Sequence, residues 1–352
     1  MKPRMDAGSV LEKINQPECM AARETHEARL DALFAGETPE SLFRMDGIEG
    51  RSKFSPYTHP KEWVNEALAD LAGRVNELLK PCVFHPLLLE APLYGMHFTD
   101  AVFGAEMIPE TVPDSGEFWN RRLAHPVGEL KPPRLENSLA WKQARALAEA
   151  MRESGATVPY FVAQTWSSPL NIAINLYGQR FPAALLLEPV AARRDLRTIT
   201  DAIKKMAREC REWLGEAQYQ PCVAAGRLQP PGYGQLCGCS THLLSCDQYA
   251  ELVAPLDDEI LADSPRGGGM MHLCGKHARH IPVWREMKAV RSIQLTDEAA
   301  DDFPAYFAGT REDQVIYLNP TETMTACRAG EISGGRRLVV VARGCPASSR
   351  AE

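Results

Sequence analysis

The chain has 352 residues, enough for one large α/β barrel or two ordinary domains; 45% are hydrophobic and 24% charged, a globular balance that excludes a disordered or fibrous chain. Lys plus Arg number 39 against 46 Asp plus Glu, a formal net charge of −7. No excess of cations exists to replace phosphate counterions, so nucleic acid is not an expected partner.

The N-terminal MKPRMDAGSVLEKINQ carries basic residues without the apolar core of a secretory signal. The best apolar run, 181–187, ends at Glu188-Pro189, far short of the roughly 18 to 20 residues of a membrane span. A cytoplasmic protein with no membrane partner is expected. Ten irregularly spaced cysteines are then thiols, some of them candidate metal ligands.

Residues 1–80 form an expected N-terminal helical extension: a helix over 21–33, a break at Gly36, and a helical period at Trp63, Ala67, Leu68, Leu71, Val75, Leu78 and Leu79. Residues 81–352 change texture. The apolar run 82–89 predicts a strand buried on both faces, and the Pro-, Gly- and charge-rich 109–134 a long loop. Strands are then predicted at 158–164, within 221–240, and at 269–274, 291–295, 314–318 and 338–342. Helices are predicted at 139–151, 170–176, 180–187, 189–214, 246–262, 281–289, 297–308 (capped by Thr296) and 322–329. Short buried strands alternating with amphipathic helices mean parallel βαβ units, and about eight of them at this length favour a (β/α)8 TIM barrel. No nucleotide-binding glycine pattern is present; Gly267-Gly268-Gly269 precedes a strand and reads as flexible backbone.

Chemistry concentrates at strand ends. His272 and Cys274 lie two apart on a strand and so point to one face. Cys345 follows the last strand, and in a parallel barrel all strands finish at one rim, where the three can meet. One imidazole and two thiolates suit Zn²⁺ and leave a position open for substrate. The alternative is that the thiols simply pack, since cysteine is among the most buried residues. His277 and His280 could supply ligands with Cys274 from a turn but read rather as polar residues opening the next helix; Cys237-x-Cys239 is another possible ligand pair but reads, with Gly and Ser around it, as a tight exposed turn; Cys19, Cys82, Cys210, Cys222, Cys246 and Cys327 read as structural.

The segments GGGMMHLCG, SPLNIAINLYG, CGCSTHLLSCDQYAELVAPLDDEI, VVVARGCP and YGMHFTDAVFGAE together resemble the uroporphyrinogen decarboxylase superfamily, from about residue 80 onward. The resemblance implies a TIM barrel. Residues 1–80 lack the Met-Arg-Gln-Ala-Gly-Arg pattern of the decarboxylases proper, and such substrates need several fixed cations for their carboxylates. His272, Cys274 and Cys345 instead match the metal ligands of the branch of zinc-dependent corrinoid:thiol methyltransferases. That branch implies zinc, a partner protein carrying a corrinoid, and a small thiol or methylated substrate.

In YGMHFTDAVFGAE, Asp100 and His97 are the candidate catalytic residues, with Tyr94 beside them; the alternative for Asp100 is a helix cap. Asn171 and Tyr177 are expected to position a helix. Only PASSRAE follows Cys345, so the last βα unit is expected to lack its helix, its groove filled by the N-terminal helices or by a partner subunit, for instance in a homodimer. Three functions compete: metal-dependent methyl transfer to a thiol, decarboxylation of a uroporphyrinogen-type or other poly-acid without metal, and non-catalytic corrinoid binding.

Overall fold

A computed structural model describes residues 7–79, 83–91, 93–109, 118–161, 166–221 and 227–341. The chain opens with helices α1 (Ala7–Ile14) and α2 (Pro17–Phe34), strands β1 (Phe43–Met45) and β2 (Ile48–Glu49), and helix α3 (Pro60–Arg74). Next come β3 (Leu87–Glu90), α4 (Phe98–Val102), the antiparallel pair β4 (Glu106–Pro109) and β5 (Phe118–Arg121), α5 (Leu139–Ser154) and β6 (Tyr160–Phe161). Helices α6 (Pro169–Tyr177), α7 (Arg180–Leu187) and α8 (Pro189–Leu214) precede β7 (Gly234–Cys237), α9 (Cys246–Leu252), α10 (Ala254–Ala262) and β8 (Gly269–Cys274). The remainder is α11 (Ile281–Glu286), β9 (Val290–Thr296), α12 (Glu298–Asp301), α13 (Phe303–Gly309), β10 (Val315–Leu318), α14 (Ala326–Ser333) and β11 (Leu338–Val341).

Six strands form one parallel sheet in the order β1-β11-β10-β9-β8-β7, and β2-β3-β6 form a second. Isolated parallel bridges pair Met45 with Phe84 and Ser167 with Cys237. The arrangement is compatible with the expected TIM barrel. β1 belongs to the main sheet, so the N-terminal segment lies directly against β11.

Alternation along the strands sorts the core. Met271 and Leu273 of β8 belong to the large core shared with the helices, whereas Met270 packs with Leu30, Leu33 and Phe34 of α2, Phe43 and Met45 of β1, and Tyr317 of β10. Helix α2 thus covers the face that Met270, His272 and Cys274 share, at the end where Met270 lies. The imidazole and thiol further along the strand stand toward the other, C-terminal, end.

Several expectations are corrected. The 109–134 stretch is not all loop, since β4 and β5 form a ladder at its start. The strand expected at 82–89 begins at Leu87, and the helix expected at 322–329 begins at Ala326, where the Thr325 hydroxyl accepts from Arg328 N. The predicted helix 246–262 divides at Val253, because Pro255 has no N–H to continue the ladder, and 297–308 divides ahead of Pro304. Thr296 is the last residue of β9 and its hydroxyl donates to Leu273 O instead of capping a helix. Gly269 is no flexible hinge: it is buried in β8, and a Cβ there would collide with the Gly234 backbone of β7. The tail after Val341 lies outside the described residues.

Candidate metal centre

Strands β7 and β8 pair in parallel with Cys237 opposite His272. The ladder continues one step, as Gly238 N donates to His272 O at 2.9 Å, and the chain then winds into a 3₁₀ turn over Cys239–Leu243. A side chain at Gly238 would meet the Met271 Sδ at 2.6 Å, so glycine is what lets the strand end lie this close to β8. Cys239 is thereby brought over Cys274. Its sulfur lies 2.7 Å from the Cys274 sulfur and 3.3 Å from that of Cys237. Donor atoms of Cys237, Cys239 and His272 all lie within 4.8 Å of one another. Cys237 and His272 are buried; Cys239 and Cys274 are half-buried.

The surroundings orient these donors. The His272 Nδ1 is in close contact with Gln294 Oε1, whose own amide is fixed by a 2.8 Å donation from Nε2 to Asn319 Oδ1. Arg227 Nη1 also lies 3.5 Å from Nδ1. With its proton on Nδ1, toward Gln294, the ring would offer Nε2 to a metal. Asn171 Nδ2 approaches the Cys237 sulfur at 3.6 Å while its Oδ1 accepts from Ser240 N at 2.9 Å, tying α6 to the turn that holds Cys239. Contact with the Cys239 thiol favours the thiolate forms of Cys237 and Cys274, with His272 acting in the same direction; the Cys239 thiol is itself pushed well up by those neighbours.

Of the three metal ligands read from the sequence, His272 and Cys274 are here and Cys345 lies outside the described residues. Cys237-x-Cys239 corrects the exposed-turn reading: Cys237 is fully buried in β7, and both residues join the cluster. The signal was present in the two-residue spacing, which repeats that of His272 and Cys274. His277 and His280 stand at the start of the next helical segment, as expected, and both are buried. His277 contacts Cys274 O through Nε2 (2.6 Å) and the Thr241 hydroxyl through Nδ1 (3.0 Å), and His280 Nε2 contacts Thr241 O. Burial pushes the His277 imidazole down to about 4. Of the other cysteines, Cys19 and Cys210 are buried, Cys246 half-buried and Cys327 exposed; Cys82 and Cys222 lie outside the described residues.

A second polar group stands nearby. Asp100, fully buried in α4, accepts from Asn175 Nδ2 at 2.9 Å and pairs with His97 Nδ1 at 2.6 Å, while its Oδ1 has no hydrogen-bond partner among the described residues. Burial raises its carboxyl to about 6 against the opposing pull of His97 and Asn175. Asp100 does not cap α4: that position is His97, whose side chain makes no cap bond. Asn171 and Asn175 are four apart on α6 and so share a face, which places this pair about one helical turn from the Asn171 contact with Cys237. The Tyr94 hydroxyl is turned to Gln143. Tyr177 serves the structure, as expected: with Gly128 N and Leu130 N it donates to the buried Asp195.

No protein-family profile and no curated protein matches the chain. Among solved structures it is similar to a methyltransferase from Methanosarcina mazei, with a TM-score of 0.64 over 91% of this chain and 94% of that one, at 14% sequence identity. The likeness is one of fold. Among the described residues no helix is long and apolar enough to cross a membrane.

Proposed function

We propose that the chain is a (β/α)8-barrel methyltransferase of the uroporphyrinogen decarboxylase superfamily type, moving a methyl group from a methyl-corrinoid protein to a small thiol at a zinc site. The observation that carries this reading is the meeting of Cys237, Cys239, His272 and Cys274 at the C-terminal ends of two neighbouring parallel strands. That end is where barrel enzymes place their chemistry. The donor set fits the ion: sulfur and imidazole nitrogen, with Gln294 against the imidazole and polar support behind one sulfur. Zinc held there supplies a thiolate at neutral pH, because coordination deprotonates a thiol that is otherwise mostly protonated. The sequence resemblance implies His272, Cys274 and Cys345 as ligands, of which His272 lies with Cys237 and Cys239 and Cys274 lies against Cys239.

The chain's own residues provide the proton path. Asp100 holds His97 by Nδ1, leaving Nε2 to take the proton of an incoming thiol, as a carboxylate orients an imidazole base elsewhere. The His97 side chain is one-fifth exposed, so the proton can pass on to water. The test is zinc analysis of the purified chain combined with loss of the methyl-cobalt absorbance of methylcobalamin in the presence of a small thiol. Stoichiometric zinc with thiol-dependent demethylation supports the proposal. Absence of zinc with decarboxylation of a porphyrinogen, or corrinoid binding without turnover, replaces it with one of its two competitors.

A further inference from the structure

We infer that Cys237-x-Cys239 supplies two of the ligands, one divalent ion being held by Cys237, Cys239 and His272 with Cys274 at the edge of the set, against Cys239. This rests on the metal reading above and specifies the site it invokes.

The argument is one of register. Cys237 is the ladder partner of His272, and the Gly238 N–H donated to His272 O carries the alignment past the end of β7. Each strand places residues two apart on one face, roughly 6.6 Å apart along the strand and 4.8 Å from the neighbouring strand. C-x-C beside H-x-C in this register is therefore a two-by-two array of donors, and the 3₁₀ turn after Gly238 draws its far corner inward until Cys239 touches Cys274. The sulfur separations of 2.7 and 3.3 Å are shorter than the roughly 3.8 Å that two zinc–sulfur bonds of about 2.3 Å span at a tetrahedral angle.

The nearby alternatives are engaged elsewhere. His277 and His280 contact Thr241 and the Cys274 carbonyl, and the His242 Nδ1 contacts Cys239 O at 2.6 Å. Three protein donors would leave one position of a zinc ion for a substrate thiol. Cys239 and Cys274, half-buried, stand on the accessible side; Cys237 and His272 are enclosed.

The test uses the full-length chain and its Cys237→Ala, Cys239→Ala and Cys345→Ala variants. Zinc affinity is read by competition with a chromogenic chelator, and the cobalt(II) forms by their sulfur-to-metal absorption. Cys237→Ala and Cys239→Ala should each lose at least about tenfold in affinity and part of the sulfur-to-metal intensity. Chelator-treated variants that unfold at the wild-type temperature separate ligand loss from misfolding. The inference is overturned if Cys345→Ala abolishes binding while Cys237→Ala and Cys239→Ala retain wild-type affinity and spectrum, a result that leaves the metal reading intact. A wild-type chain that binds neither zinc nor cobalt overturns both.

Discussion

Asp100→Asn gives the sharpest test of the buried carboxyl beside His97. In the unfolded chain this group ionises near 3.8, whereas burial raises it to about 6 in the folded protein. Between those values the folded state holds a proton that the unfolded state has lost, so stability must fall as pH rises through the interval. A shift of about two units corresponds to about 3 kcal/mol, most of it expressed between pH 4 and pH 8. The asparagine variant has no proton to lose. Its amide oxygen can still accept from Asn175, though its NH₂ takes the place of an oxygen with no partner among the described residues, a cost that does not vary with pH. Urea unfolding of both proteins across pH 4 to 8 should therefore show the stability of the wild type, relative to the variant, declining by about 2 to 3 kcal/mol. A difference that stays flat would show that His97 and Asn175 cancel the effect of burial, and one that grows with pH that they outweigh it; either refutes a raised carboxyl.

Asn171→Ala removes the contact to Cys237 and the acceptor of Ser240 N, so zinc affinity in the chelator competition should fall about tenfold while helix content is kept. Tyr177→Phe withdraws one of three donors to buried Asp195 and should lower the unfolding free energy by about 1 to 2 kcal/mol without altering metal affinity. Gly269→Ala forces a Cβ onto the Gly234 backbone between β7 and β8; a loss of about 3 kcal/mol, measured by urea unfolding, is expected together with weakened metal binding, because the same pairing aligns the donors.

Much of the sheet was legible because strands buried on both faces are written as short apolar runs. The bounds 269–274 are those of β8, and 338–342 differs by one residue from β11. Helix α8 follows its amphipathic pattern from Pro189 to Leu214 without correction. Misreadings fell where a single backbone property outranked periodicity. Pro255 and Pro304 each divide what looks like one helix, and Asp297, at φ 50, turns the chain out of β9 before α12 can begin. Pairing partners were not legible. That β1, within a segment read as helical, lies beside β11 depends on contacts almost three hundred residues apart in the chain.

The site shows the same division between what spacing states and what register adds. His272 and Cys274 announce themselves by alternation on an evident strand, but Cys237-x-Cys239 has the same spacing amid glycine and serine, which resemble a turn. The turn is real; it begins at Cys239, and it is what delivers that sulfur to Cys274. Only the register of β7 against β8 converts two weak pairs into one array. The asparagines of SPLNIAINLYG, read as helix-positioning residues, have an equally specific placement. Ser168 accepts from Leu170 N at the start of α6, and Pro169 fills the first turn. Residues 171 and 175 then fall on one face, one reaching the thiol cluster and the other Asp100. A polar pair four apart in an otherwise apolar helix costs burial energy unless both members find partners. Here the partners are the two groups proposed to hold the ion and to move the proton, so the same helix also sets the distance between them.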